Sequence, residues 1–450
     1  MVFPPARRGL PGLGRIHGHR SLDLRGRGGD PEGFRAGSVR PAADHRPPTS
    51  GRPPSENELF LLLARARLSA EEEKRARSLL GQDLDWTYLL DQGRREGIFP
   101  LLCRNLGRVG FFRVPPEAQA VLEEDYRRNG LRNALLVREL GQVLQLLGKE
   151  GIPAIPLKGV ALAHSLYGDI ASRHCSDLDL LIPLRDVPKA TRILLARGYR
   201  GHNMDRLLEG RSLGYHNEWS FGREEDSIRY SIDLHWAILW THDVDRPALK
   251  DLWAEARPTT FFDGPCLALS PSWELLYLAS HASHHGWEGL KWLADIHELC
   301  VRREVDWAEV EEKARRLGWD DLLHRTLGHC VSALGTPVPP SILRSGRPLR
   351  RRISFFLPGI DHGLAEGLAH FNLPKGLSAR LRYLLIRILE PTTADWQAFA
   401  LPKVLHPLYY PLRVLRIGWR LLRRLIPKGN RRTFARDLEP LRPPPRPIVR

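Results

Sequence analysis

Between Gly151 and Ile238 the chain repeatedly changes its apolar period, and that alternation limits the folds open to it more than any other feature. Ile152 to Leu157 is a short apolar run, Lys158-Gly159 follows, and Val160 to Tyr167 returns to helical spacing, which reads as strand, tight turn and helix. Asp177 to Ile182 predicts a second strand, stopped by Pro183, and Asp186 to Arg197 a helix ended by Gly198. His216 to Phe221 and Ile228 to Ile238 are two further strand candidates. Such alternation over about 90 residues predicts a small α/β unit.

The flanks read as helix. Leu59, Phe60, Leu62 and Leu63 open an apolar helical pattern that continues to about Gly148. After Pro271 the stretches Trp273 to His285, Gly289 to Arg302, Trp307 to Leu317 and Asp320 to Leu334 are each amphipathic. Leu377 to Leu389 and the basic stretch Val404 to Ile426 follow. The expected class is mixed, α+β or α/β: a small mixed sheet flanked by amino-terminal and carboxy-terminal helical domains. The segments are an Arg/Pro/Gly-rich tail expected to be disordered (1–56), a helical lead-in (57–148), the sheet-bearing core (149–262), a helical domain (263–400) and a basic amphipathic tail (401–450).

With 450 residues, 42% of them hydrophobic, the chain can bury two or three cores. No stretch reaches the roughly 18 to 20 apolar residues of a spanning helix, and no apolar run follows Arg7-Arg8, so an integral membrane protein is not expected and the cytoplasm is the expected location. Five scattered cysteines without a C-x-x-C pair exclude a disulfide scaffold and a thiolate zinc module. The net charge of +16 belongs to the ends: residues 375–450 hold seventeen Lys or Arg against four acids, whereas 57–374 carry 41 basic and 43 acidic residues. A broad phosphate-reading surface on the folded middle is therefore not implied.

The segment Arg173-His174-Cys175-Ser176-Asp177-Leu178-Asp179-Leu180-Leu181 carries the strongest chemical signal. Strand residues two apart share a face, so Asp177 and Asp179 project together while Leu178 and Leu180 pack behind. Two carboxylates that close repel unless a cation neutralises them, and hard oxygen donors suit magnesium or manganese. Asp233, in Ile232-Asp233-Leu234-His235-Trp236, supplies a third carboxylate from a neighbouring strand. At Lys158-Gly159 a strand turns into a helix; glycine there admits a phosphate to the backbone, and Lys158 adds a mobile charge. A phosphate cradle facing a carboxylate cluster suffices for phosphoryl transfer.

These residues resemble the poorly characterised nucleotidyltransferase family of the DNA polymerase beta superfamily. Asp85-Trp86, Gly97-Ile98-Phe99-Pro100, His281, His284 to Trp287, Trp292 and Asp295 extend the resemblance over about residues 57 to 330. Lys158-Gly159 stands where that superfamily usually has Gly-Ser. The resemblance implies a nucleotidyltransferase core in which Asp177, Asp179 and Asp233 are the metal ligands and catalytic acids. Lys158, Gly159 and Arg173 would serve the nucleotide, with Arg173 binding phosphate or orienting an aspartate. The implied reaction is magnesium- or manganese-dependent transfer of a nucleoside monophosphate from a nucleoside triphosphate to an acceptor hydroxyl, with release of pyrophosphate. The acceptor, whether small molecule, protein or RNA end, stays open.

Other features have plainer readings. His281 and His285, four apart, have metal-ligand spacing and join His284, Asp295 and His297 in a candidate group, but a packed helix pair with buried polar contacts is the preferred account. His235 reads equally as a substrate contact or a hydrogen-bonded core residue. His242-Asp243 falls in a polar loop. Leu401 to Leu425 interleaves arginines with apolar residues; membrane or polyanion contact is one reading, and a helix docking its apolar face on the domain with its arginines solvated is the simpler one. Two other functions share these features: a non-catalytic nucleotide-binding regulatory module, and a basic-tailed membrane- or polyanion-anchoring protein.

Overall fold

The computed structural model describes residues 54–201, 204–208, 217–238 and 246–343 apart from 263 and 288, then 381, 385, 388, 389, 391, 395 and 401–425. Residues 1–53 of the expected amino-terminal tail, His242-Asp243 and most of the predicted helix 377–389 lie outside these residues, whereas 54–56 are already helical.

Five helices precede the sheet: α1 Pro54–Leu63, α2 Ala70–Leu80, α3 Trp86–Arg95, α4 Phe99–Arg108 and α5 Pro116–Lys149. Local chemistry sets several of their ends. Ser69 and Glu72 form a reciprocal capping box at α2, and the Asp85 side chain accepts from the Tyr88 amide at α3. On α5, two buried asparagines reach out to the chain that precedes the central strand. Asn129 Nδ2 donates to the Ala171 and Arg173 carbonyls (2.8 and 3.1 Å), and Asn133 Nδ2 to those of Ile170 and Arg173 (2.6 and 2.8 Å). Backbone oxygens in a buried loop need such partners, so α5 fixes where the loop delivers the aspartates.

The sheet has four strands, β1 Ile155–Pro156, β2 Leu178–Leu181, β3 Glu218–Glu225 and β4 Ile228–His235, in the order β1-β2-β4-β3. β2 is antiparallel to β1 and parallel to β4, and β3 is antiparallel to β4, so the sheet is mixed as expected. The register sets Asp179 opposite Asp233 and Leu180 opposite Leu234. β3 and β4 are joined by Asp226-Ser227, both at positive φ (49° and 62°), the conformation of a tight two-residue hairpin. One sheet face is apolar, with Leu178, Leu180, Ile232, Leu234, Trp219 and Phe221 in a single buried cluster. The other presents Asp179, Asp233, His235, Ser220 and Glu218, because residues two apart share a side.

A second sheet, β5 Arg257–Phe261 and β6 Gly264–Ala268, was not foreseen in the sequence. Pro258 and Pro265 interrupt both strands, and proline within a short run argues against a strand unless it sits at an edge. Within the first sheet α6 Val160–Leu162 connects β1 to β2, and α7 Val187–Ala196 and α8 Met204–Leu208 come between β2 and β3; α9 Arg246–Glu255 separates β4 from β5 along the chain. Beyond them come α10 Pro271–His284, α11 Leu290–Arg302, α12 Trp307–Leu317 and α13 Asp320–Leu334. The lead-in and these later helices share one apolar core, from Leu59 and Leu79 to Leu299 and Leu327. Polar ties reinforce it: the Ala66 amide donates to Glu298 Oε1 (2.7 Å), and Glu96 accepts from the Leu290 and Lys291 amides through its side chain and its carbonyl (2.7 and 3.1 Å).

The carboxy-terminal helix α14, Tyr409–Leu425, reverses the simpler expectation. Arg413 and Arg416 turn inward onto Asp395, itself 1% exposed, while Leu415 is 68% exposed. A buried carboxylate demands cations, and it has drawn the arginine side of the helix towards the protein.

Candidate active site

Leu157 follows β1, and its amide donates to the Asp179 carbonyl (3.0 Å), which fastens the Lys158-Gly159 turn to β2. Gly159 has φ +66° and ψ −130°, a conformation that side chains disfavour, and a β-carbon there would stand 3.2 Å from the Asp177 carbonyl. The glycine thus lets two loops touch. Gly159→Ala is expected to lower stability by about 2 kcal/mol, measured by denaturant unfolding, and to reduce turnover by displacing Asp177. The helix after the turn is short: α-helical over Val160–Leu162, then a wider π turn over Ala163–Tyr167.

Asp177, Asp179 and Asp233 meet as predicted, each offering an oxygen within 4.8 Å of the others. Asp177 lies just before β2, and Ser176 Oγ donates to its Oδ1 (3.0 Å). Lys158 Nζ stands 3.0 Å from Asp179 Oδ1 and 3.7 Å from Asp177 Oδ2. His235 Nε2 lies 3.1 Å from the same Asp179 oxygen, and its Nδ1 lies 2.9 Å from Glu218 Oε2. An imidazole whose two nitrogens both face carboxylates donates from both and carries a charge. Burial opposes that charge, but Glu218 and Asp179 outweigh it and hold the imidazolium up to a pKa of about 10.

The three carboxylates are not equivalent. Burial pushes the Asp179 carboxyl up, yet Lys158 and His235 more than offset it and bring it down to about 2. Burial and then the Asp179 charge raise Asp233 to about 6, with Ser220 opposing through a hydrogen bond. With Asp233 ionised, four carboxylates face the two cations Lys158 and His235, so the cluster carries surplus negative charge. Asp179 Oδ2 is buried without a hydrogen-bond partner. An orphaned buried anionic oxygen beside two further carboxylates fits a hard divalent cation such as magnesium or manganese.

Arg173 is placed elsewhere. Its guanidinium is 5% exposed and forms a two-pronged pair with Asp295 on α11 (Nε to Oδ1 2.8 Å, Nη2 to Oδ2 2.7 Å), which also accepts from Tyr167 Oη (2.8 Å). Its carboxylate partner is Asp295 and not a member of the triad. The histidine group likewise divides. His297 bonds Thr336 (3.0 Å), Asp295 holds Arg173, His285 stacks on Trp292 and His281 meets that ring edge-on. Among the described residues, the aspartate triad is the group of three or more such side chains that could hold a metal.

Three participants escaped the sequence reading. Glu218 and Ser220 face His235 and Asp233 only through the β3–β4 register. Tyr277 on α10 is 3% exposed, and its hydroxyl has no hydrogen-bond partner. Burial, then the charges of Asp179, Glu218 and Asp177, push the phenol well above its usual range, so α10 borders the acids. The Asp177-to-Asp179 spacing was the signal within the sequence; these others needed pairing.

Converging carboxylates on a mixed sheet, beside a lysine at a strand-to-helix turn, form a group of oxygen donors that could hold a metal ion. The profile of a family described as uncharacterised nucleotidyltransferases matches residues 82–335, more than half the chain, and the protein belongs to that family. The match contains Lys158, Gly159, Arg173 and all three aspartates. No curated protein and no solved structure matches the chain.

Proposed function

We propose that the protein transfers a nucleoside monophosphate from a nucleoside triphosphate to an acceptor hydroxyl, in the manner of the DNA polymerase beta superfamily, using magnesium or manganese. The convergence of Asp177, Asp179 and Asp233 within 4.8 Å carries this reading. The three carboxylates would hold the cation, which supplies charge neutralisation for the phosphates when bound. Asp233 receives the acceptor's proton as its oxygen bonds to the α-phosphorus and the bond to the pyrophosphate oxygen breaks. Lys158 lies close enough to meet the incoming phosphates, and His235, braced by Glu218, fixes the Asp179 side chain. Asp179 Oδ2 and the Tyr277 hydroxyl are polar atoms left for ligands to satisfy.

Five free cysteines, four of them buried, support a cytoplasmic location. The deciding experiment incubates the protein with each labelled triphosphate, magnesium and cell extract. Label on an acceptor with stoichiometric pyrophosphate supports transfer; nucleotide binding without pyrophosphate release identifies a regulatory module.

The same electrostatics set a stability prediction. Asp233 is raised in the fold to about 6 from an ordinary 3.8, so its ionisation opposes folding. The cost is absent below pH 3.8 and grows to about 3 kcal/mol above pH 6. Asp233→Asn is expected to abolish turnover yet raise the metal-free melting temperature at pH 8, with the gain disappearing at pH 4.

A further inference from the structure

Seven of the fifteen large apolar side chains exposed among the described residues fall between Val404 and Trp419. Leu408 (46% exposed), Leu415 (68%) and Trp419 (39%) are spaced seven and four apart, the period of one face of α14, and Val404 (88%) precedes them on the 3-10 turn Lys403–Leu408. The inward face is accounted for. Tyr409 is buried, with its hydroxyl accepting from the Leu401 amide (3.1 Å), and Arg413 and Arg416 meet Asp395 at 2.7 and 2.5 Å. Among the described residues, α14 docks through a tyrosine and two arginines, and its aliphatic face is exposed.

We propose that this face of α14 lies on an anionic lipid surface. Residues 401–450 contain thirteen Lys or Arg and two acids, a charge that anionic headgroups complement. An aliphatic stripe with a tryptophan, in a segment of that composition, suits the headgroup boundary, where apolar side chains enter the acyl region and charges stay outside. Two other occupants fit less well. A second copy would bring two such cationic segments together, and an RNA would engage the cations without covering Val404, Leu408 and Leu415. Nothing in the reading depends on the aspartate site, and no described helix is long and apolar enough to cross a membrane, so the helix would lie in the surface plane.

The test is co-sedimentation of the full chain with vesicles of phosphatidylcholine alone or mixed with phosphatidylglycerol. Binding at least about tenfold tighter to the mixed vesicles and weakened by salt is expected. Leu415→Glu should weaken it about tenfold or more, with the circular dichroism spectrum and melting temperature unchanged because the residue is exposed. Leu131→Glu, at a similarly exposed leucine on α5, should bind like the parent. The proposal is overturned by equal affinity for both vesicle types, or by Leu415→Glu binding as the parent does. It is equally overturned by a dimer in sedimentation equilibrium that Leu415→Glu dissociates, or by binding to homopolymer RNA that depends on Leu415 while vesicles are ignored.

Discussion

Asp177→Asn is expected to give a folded protein whose nucleotidyl transfer is slowed about a thousandfold or more. The amide keeps the shape of the side chain and its contact with Ser176 but removes one negative charge from the surplus that would hold the cation. Losing a charged ligand to a phosphoryl-transfer cation costs several kcal/mol of barrier, and about 4 kcal/mol corresponds to the stated factor. Pyrophosphate release measures the loss, and the disappearance of a magnesium- or manganese-induced rise in melting temperature shows that cation binding has gone with it. Asp179→Asn should be as inactive but less stable. Asp179 is held at about 2 against an ordinary 3.8, which contributes about 2.5 kcal/mol above pH 4 that is lost as the pH falls towards 2. Its loss also leaves Lys158 and His235 without their shared partner. Turnover by Asp177→Asn at the parent rate would remove the enzymatic reading while leaving the fold untouched.

The aspartates were legible because strand geometry is a rule of period two, which needs only local sequence. Asp177 and Asp179 share a face whatever lies beside them, and Asp233 between Ile232 and Leu234 announces a polar position on a half-buried strand. What stayed hidden depends on register or on distant partners. Glu218 reaches His235 because a two-residue turn at Asp226-Ser227 fixes the alignment of β3 on β4, and that pair lacks the Asn-Gly signature by which such turns are recognised. The β5–β6 hairpin was masked by its prolines. For α14, periodicity established two faces, but the inward one was chosen by Asp395, which lies outside the helix.

Arg173 shows the same limit most sharply, since its partner Asp295 is 122 residues away. The pair joins the loop delivering Asp177 to α11, while Asn129 and Asn133 hold the Arg173 carbonyl from α5. The loop is thus clamped from two helices, and the aspartates inherit their position from that clamp. Arg173→Ala is expected to cost about 3 to 5 kcal/mol in denaturant unfolding, because it strands a buried carboxylate that is 1% exposed. Arg173→Met combined with Asp295→Asn removes both charges, keeps an acceptor for Tyr167 and should recover at least half of that loss. Kinetics on the rescued double variant separate the two roles. A clamp whose charges have been replaced together should leave the KM for the triphosphate near the parent's, with any deficit falling on kcat through misplaced aspartates. A phosphate-binding arginine would raise KM in the double variant however well it folds, and that result would return Arg173 to the nucleotide.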